Sequence, residues 1–391
     1  MKPQKIAENI FWVGVIDKES KFFDQLMPLP EGTSYNAYLI KGSEKTALIE
    51  TVAPEFTQKL LENLKSCDVQ KIDYIVANHA EQDHTGALKE VMRKYPEAKV
   101  VCNQKCFSFL EQEHHITKVD CIIIEDKQRL SLGDKTLEFL FAPWVHWPET
   151  MFTYVQEEKI LFPCDLFGAH LAFEELWVKN KEQIENSAKR YYAEIMMPFV
   201  KMVSKNQEML KKYPLSIIAP SHGPIYNNPS IILDLYKEWT GNNIKQKTVI
   251  AYVSMHGSTK RMAEHLEWKA KEQGMQAVSY NIMETEVGTI AMNLINTSTF
   301  IICSPAYLGG LHPAAANLLF IINGFRPNIK QYTIIGSYGW EAKFGEEGVK
   351  RMLSSTQAEF LPPIIIQGFP KDEDFKKIDN LVALIKEKQQ N

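Results

Sequence analysis

The chain has 391 residues, more than one ordinary domain needs and enough for two. Hydrophobic residues at 45% and charged residues at 24% let both halves build cores, and a formal net charge of -4 argues against nucleic acid as the main partner. The six cysteines (Cys67, Cys102, Cys106, Cys121, Cys164, Cys303) form no C-x-x-C pair, which excludes a rubredoxin-like iron site in this chain and a disulfide framework, and predicts a cytoplasmic protein.

Met1 to Ser20 mixes Lys, Gln, Glu and Asp with short apolar stretches, so no targeting signal is expected there. No segment has the apolar length that a bilayer requires, and no membrane association is expected. Short β-rich runs then dominate: Ile10–Val15, Tyr38–Ile40, Thr46–Ile49, Tyr74–Ala77, Val100–Cys102, Leu137–Phe141, Ile160–Phe162 and Ile217–Ile218. Helical stretches lie between them at Pro54–Ser66, Ala87–Lys94 and Lys181–Met202. This interleaving predicts an α/β sandwich whose active edge collects strand-end loops.

A polar stretch at Lys237–Lys247 marks the expected boundary, giving domains of residues 1–245 and 246–391. Beyond it the alternation is regular, with strands at Thr248–Val253, Ala277–Asn281, Thr299–Cys303, Tyr332–Ile335 and Pro363–Ile366. Helices are predicted at Thr259–Gln273, Ala314–Ile322 and Glu347–Ser355. Nearly all-apolar strands alternating with helices describe a doubly wound parallel sheet covered on both faces.

Chemistry-bearing residues gather where strands end. After Tyr74–Ala77 come His79, Glu81, Asp83 and His84, four metal-ligand types within six residues. Left together without a cation, they would carry a large cost in desolvation and repulsion. His146, Asp165 and His222 each follow a later β run, so all seven can converge at one sheet edge. His114, His115, His170 and His265 have no such company and read as structural or surface residues.

In the second half, Ser254-Met255-His256-Gly257-Ser258-Thr259 links a strand to a helix. Backbone N–H groups, hydroxyls and the helix N-terminus there suit a phosphate monoester. The loop is neither G-x-G-x-x-G nor a Walker sequence. Two more strand-end segments follow: Ser304-Pro305-Ala306-Tyr307-Leu308-Gly309-Gly310 and Ser337-Tyr338-Gly339-Trp340.

His79-x-Glu81-x-Asp83-His84 followed by His146, Asp165 and His222 resembles the metallo-β-lactamase fold in its flavodiiron form, and the three later loops resemble the FMN-binding loops of flavodoxins. The resemblance covers essentially the whole chain, including Glu31–Leu39. It implies an α/β protein made of an αββα metallo-β-lactamase-like sandwich and a flavodoxin-like sheet. It further implies a di-iron site with His79, Glu81 and His146 on one iron, Asp83, His84 and His222 on the other, and Asp165 bridging. Zinc hydrolases of this fold carry histidine where this chain has Glu81, and the added carboxylate favours iron.

The implied activity is electron transfer from FMN to the irons, which reduce O₂ to water or NO to N₂O. A separate donor such as rubredoxin, a flavin reductase or a reduced flavin carrier would supply electrons. A head-to-tail homodimer, or a dimer of such dimers, would bring each FMN beside the partner's irons. The sequence departs from the family pattern at Phe23-Asp24-Gln25 and at Glu341-Ala342-Lys343-Phe344-Gly345. Two other readings are a zinc-dependent hydrolase with a flavodoxin-like regulatory domain and a flavin electron carrier with a structural metal site. Glu81 counts against the first and the sevenfold ligand set against the second.

Overall fold

The computed structural model describes residues 1–241 and 243–390. It forms two compact units, Met1–Tyr192 with Phe199–Thr240, and Ala193–Pro198 with Gly241–Asn391. No helix among the described residues is long and apolar enough to cross a membrane.

The first unit holds two sheets. A seven-stranded sheet runs in the order Gln4–Ala7, Ile10–Trp12, Tyr38–Lys41, Thr46–Ile49, Tyr74–Val76, Lys99–Cys102, Cys121–Ile123. A five-stranded sheet runs Arg129–Ser131, Thr136–Phe141, Met151–Val155, Ile160–Phe162, Ile217–Ile218. Tyr38, Ile40 and Val76 of one sheet and Phe139, Val155 and Phe162 of the other share a buried core. The alternate residues Leu39, Leu48 and Ile75 face the opposite way, onto helices Thr57–Ser66, Leu88–Lys94 and Gln104–His114. Period-two alternation thus gives the inner strands of the larger sheet two apolar faces.

Two elements differ from expectation. The run Ile10–Val15 is split, and Val15–Asp17 pairs instead with Thr33–Tyr35. Gly14 is the reason, since a Cβ there would lie 2.4 Å from the Tyr35 carbonyl oxygen and only glycine allows that crossing. The helix expected over Lys181–Met202 ends at Tyr191, passes through a π turn at Tyr192–Met196 and a 3-10 turn at Met197–Phe199, and resumes as Val200–Leu210. Pro198 supplies no N–H for a continuous helix.

The second unit is a doubly wound parallel sheet in the order Gln276–Asn281, Lys245–Tyr252, Thr297–Tyr307, Gln331–Tyr338, with Glu359–Phe360 and Ile364–Gln367 beyond. Taken by sequence this is 2-1-3-4-5, the flavodoxin-like order. Helices Val287–Leu294, Pro313–Phe325 and Glu346–Met352 cover one face, while Ser258–Glu272 and Asp372–Gln390 cover the other. The third strand runs four residues further than expected, through Ser304–Tyr307, and folds back as Gly310–Leu311. Only Leu308 and Gly309 form the turn, at φ 50° and 81°, as a two-residue hairpin with two positive φ angles demands.

Candidate functional site

Every sequence-predicted metal ligand follows the carboxyl end of a strand in the first unit, Asp83 and His84 doing so from the short helix Gln82–Thr85. They form two groups of three around Asp165. Nε2 of His79 and of His146 lie 3.0 and 3.4 Å from Oε2 of Glu81, and 3.7 and 3.4 Å from Oδ2 of Asp165. Nε2 of His84 and of His222 lie 3.4 and 3.2 Å from the carboxylate oxygens of Asp83, and both 3.2 Å from Oδ1 of Asp165. Each oxygen of Asp165 therefore faces a separate set of two histidines and one carboxylate.

These donors suit a pair of metal ions. With metal–donor bonds of about 2.1 Å, neighbouring donors around one ion sit roughly 3.0–3.4 Å apart. Although buried, both oxygens of Asp83 and Nε2 of His84 find no aligned hydrogen-bond partner among the described residues. Two histidines plus one carboxylate, repeated twice, is the donor set of non-haem iron.

Charge points the same way. Burial alone would depress the His79 imidazole, but the Glu149 and Glu81 carboxylates beside it hold it up at about 10. Burial likewise opposes, and Asp165 and Asp83 outweigh it, in raising His222 to about 9. Asp165 is itself buried, yet His84, His146 and His222 hold it well below the usual carboxylate range. In the metal-free chain, protons on the imidazoles supply the positive charge that the carboxylates require.

A further layer of residues, which the sequence reading did not find, orients the ligands. Glu149 Oε1 lies 2.7 Å from His79 Nδ1 and also accepts the Ala80 N–H at 3.1 Å. His222 Nδ1 donates to the Ser34 carbonyl at 2.7 Å. Glu50 faces His84 Nδ1 at 3.4 Å and accepts the Asn78 N–H at 3.0 Å. With Nδ1 so engaged, each ring turns Nε2 toward the cluster. Glu50 follows the apolar strand Thr46–Ile49, so the strand-end signal used for Asp165 could have found it. Cys164 also lies beside His84, but burial pushes its thiol well above the usual range, so it stays protonated.

The histidines set aside in the sequence are elsewhere or differently engaged. His114 bonds to Thr85 and His265 to Asp379. His170 is buried, with Nδ1 3.0 Å from Thr33 Oγ1 and its ring against Tyr191, His222 and Phe23. The departing segment Phe23-Asp24-Gln25 forms the tip of a hairpin, Asp24 and Gln25 both at positive φ. Burial raises the Asp24 carboxyl, and the charges of Glu81 and Asp83 raise it further, so this tip lies within electrostatic reach of the cluster.

In the second unit the three predicted loops lie at the carboxyl ends of adjacent parallel strands. Gly257, at φ 93°, precedes helix Ser258–Glu272 and has only the Phe369 ring within 4 Å of where a Cβ would sit. That space at a helix N-terminus fits a phosphate. Ser254 Oγ accepts the Gly257 N–H at 3.0 Å, and Thr259 Oγ1 donates to the Val253 carbonyl at 2.6 Å, so these hydroxyls brace the loop. Met255 and His256 are exposed, as are Tyr307 and Leu308 of the second loop and Gly339 and Trp340 of the third. Pro305 and Ser337 are buried, Ala306, Gly310 and Tyr338 partly so. A fourth segment was missed in the sequence. Gly368 accepts from Ser258 Oγ at 3.1 Å, and the exposed Phe369 ring lies 4.8 Å under Arg261.

Comparison with known proteins adds independent findings. The family model described as ODP family beta lactamase matches residues 33–223. A nitric oxide reductase from Moorella thermoacetica is 34% identical over 389 residues, covering 96% of each chain. The flavodiiron protein of Giardia intestinalis superposes with a TM-score of 0.93 at 26% identity, over 100% of this chain and 97% of that one. The rubredoxin oxygen:oxidoreductase of Desulfovibrio gigas does so at 0.94 and 27%, over 100% and 99%.

Proposed function

The chain belongs to the flavodiiron proteins, and from that premise we propose that Asp165 bridges two irons, one held by His79, Glu81 and His146 and the other by Asp83, His84 and His222. The protein is an oxidoreductase with FMN and a non-haem di-iron site that reduces O₂ to water, NO to N₂O, or both. The observation that carries the ligand assignment is that each Asp165 oxygen faces its own set of two histidines and a carboxylate.

When bound by these residues, the irons and FMN would supply the redox chemistry that gas reduction needs. The chain's own residues do the rest. Glu149, Glu50 and the Ser34 carbonyl hold the histidine rings with Nε2 inward. Trp147 lies edge-on to His79 at 4.9 Å and Tyr35 edge-on to His222 at 5.9 Å, and both histidines are buried. The Tyr191 phenol donates its proton to a hydrogen bond with Asp165 Oδ1, 2.9 Å between oxygens.

Residues Ser254–Thr259 would take the FMN phosphate, and Pro305–Gly310 with Ser337–Trp340 the ring. The boundary between the two functional domains would lie between residues 245 and 246. The setting is cytoplasmic, the electron donor a separate protein such as rubredoxin or a flavin reductase, and the assembly a head-to-tail homodimer. Exposed apolar residues flank both sites, Phe22, Leu26 and Trp144 in the first unit and Tyr307, Leu308, Trp340 and Phe369 in the second. Such flanking surface favours an apolar partner face.

Gas consumption by the reduced protein tests the reading. Asp165→Ala should lose iron together with O₂ and NO reduction while keeping FMN. Full iron and normal turnover in that variant would remove Asp165 from the site.

A further inference from the structure

The loop that departs from the family pattern places a charge pair on one of the flavin loops. Lys343 donates its backbone N–H to the Gly309 carbonyl at 2.6 Å, tying the loop after Trp340 to the turn after Tyr307. Its Nζ pairs with Glu341 Oε2 at 3.0 Å. That same oxygen sits 3.2 Å from where a Cβ on Gly309 would lie, so the absent side chain at Gly309 makes room for it. Phe344 anchors the loop below, its ring 2.6 Å from where a Cβ on Gly336 would be. The pair is therefore held beside Gly309, in the turn that follows the exposed Tyr307.

We propose that Lys343 and Glu341 are positioning residues that set the reduction potential of the bound flavin. The proposal rests on the FMN assignment above. Two electrons and one proton convert the neutral oxidised ring to a reduced ring with one negative charge. An ammonium nearby favours the reduced ring, and a carboxylate disfavours it. The side chains are 68% and 39% exposed, and an exposed ion pair contributes little to stability, so its consequence lies in the field it casts on the ring. Water weakens that field and salt cuts it off beyond about 8 Å, so it acts only on a ring seated against this loop.

The test is spectroelectrochemical titration of the FMN-loaded full chain, read from the flavin absorbance. Lys343→Gln should shift the oxidised-to-reduced ratio about tenfold toward oxidised at fixed potential, about 30 mV downward for a two-electron couple. Glu341→Gln should shift it the opposite way, and Lys343→Arg should match the parent. Parent-like potentials in both Gln variants, with FMN bound, would overturn the proposal. A parent chain that binds no FMN would instead sink the flavin assignment itself.

Discussion

The phenol of Tyr191 donates to Oδ1 of Asp165 at 2.9 Å, inside a site where both side chains are buried. Oδ1 is the oxygen that faces His84 and His222, so this bond biases the second half of the site. Tyr191→Phe removes it without a change of shape. We expect iron affinity to fall by about 10- to 100-fold, the range typical when a ligand's orienting partner is lost. Iron retention against a graded chelator measures this, and a curve matching the parent would contradict it.

The metal-free chain should have an unusual pH profile. His79 and His222 are held at about 10 and about 9 by their carboxylate neighbours, above the unfolded value near 6.5. A raised histidine contributes stability fully present below about pH 6.5 and lost as pH rises through its folded value. Denaturant midpoints of the metal-free chain should therefore fall between about pH 6.5 and 10. The iron-loaded chain should not show that loss, because its imidazoles are already neutral ligands. Identical profiles for the two forms would refute the argument.

The flavin loop offers a separate handle. Ser254 and Thr259 brace the turn through Gly257 N–H and the Val253 carbonyl. Ser254→Ala combined with Thr259→Ala should weaken FMN binding by about 10-fold or more, from the loss of two hydrogen bonds at about 1 kcal/mol each. Iron content should stay at the parent level. Loss of iron alongside FMN would mean that the variant perturbs more than the loop.

Phe344→Ala should destabilise the second unit by about 3 kcal/mol, as removal of a largely buried aromatic does. Calorimetry should show the transition of that unit moving down while the first unit's stays in place. A common shift of both would mean that the two units unfold as one.

Much of this was readable in the sequence because ligand-type residues stood at the ends of apolar strands. His79, Glu81, Asp83, His146, Asp165 and His222 carry that signal themselves, and the structure gathers them. Glu149 and Tyr191 do not, since they act through another residue and no spacing records which ring a carboxylate or phenol will meet. Proline and a glycine pair suggest a turn at Ser304–Gly310, yet Ser304 and Pro305 continue the parallel pairing with Gln331–Tyr338 and Ala306 and Tyr307 pair with Gly310–Leu311. Helix Val287–Leu294 escapes notice for another reason: it is only eight residues long and its N-cap, Glu286, makes no side-chain cap hydrogen bond.

The most direct measurement is elemental analysis of anaerobically purified protein. The account predicts about two irons per chain, as two sets of two histidines and a carboxylate sharing one aspartate require. Stoichiometric zinc without iron, in a protein that reconstitution with iron leaves unable to reduce O₂ or NO, would contradict it.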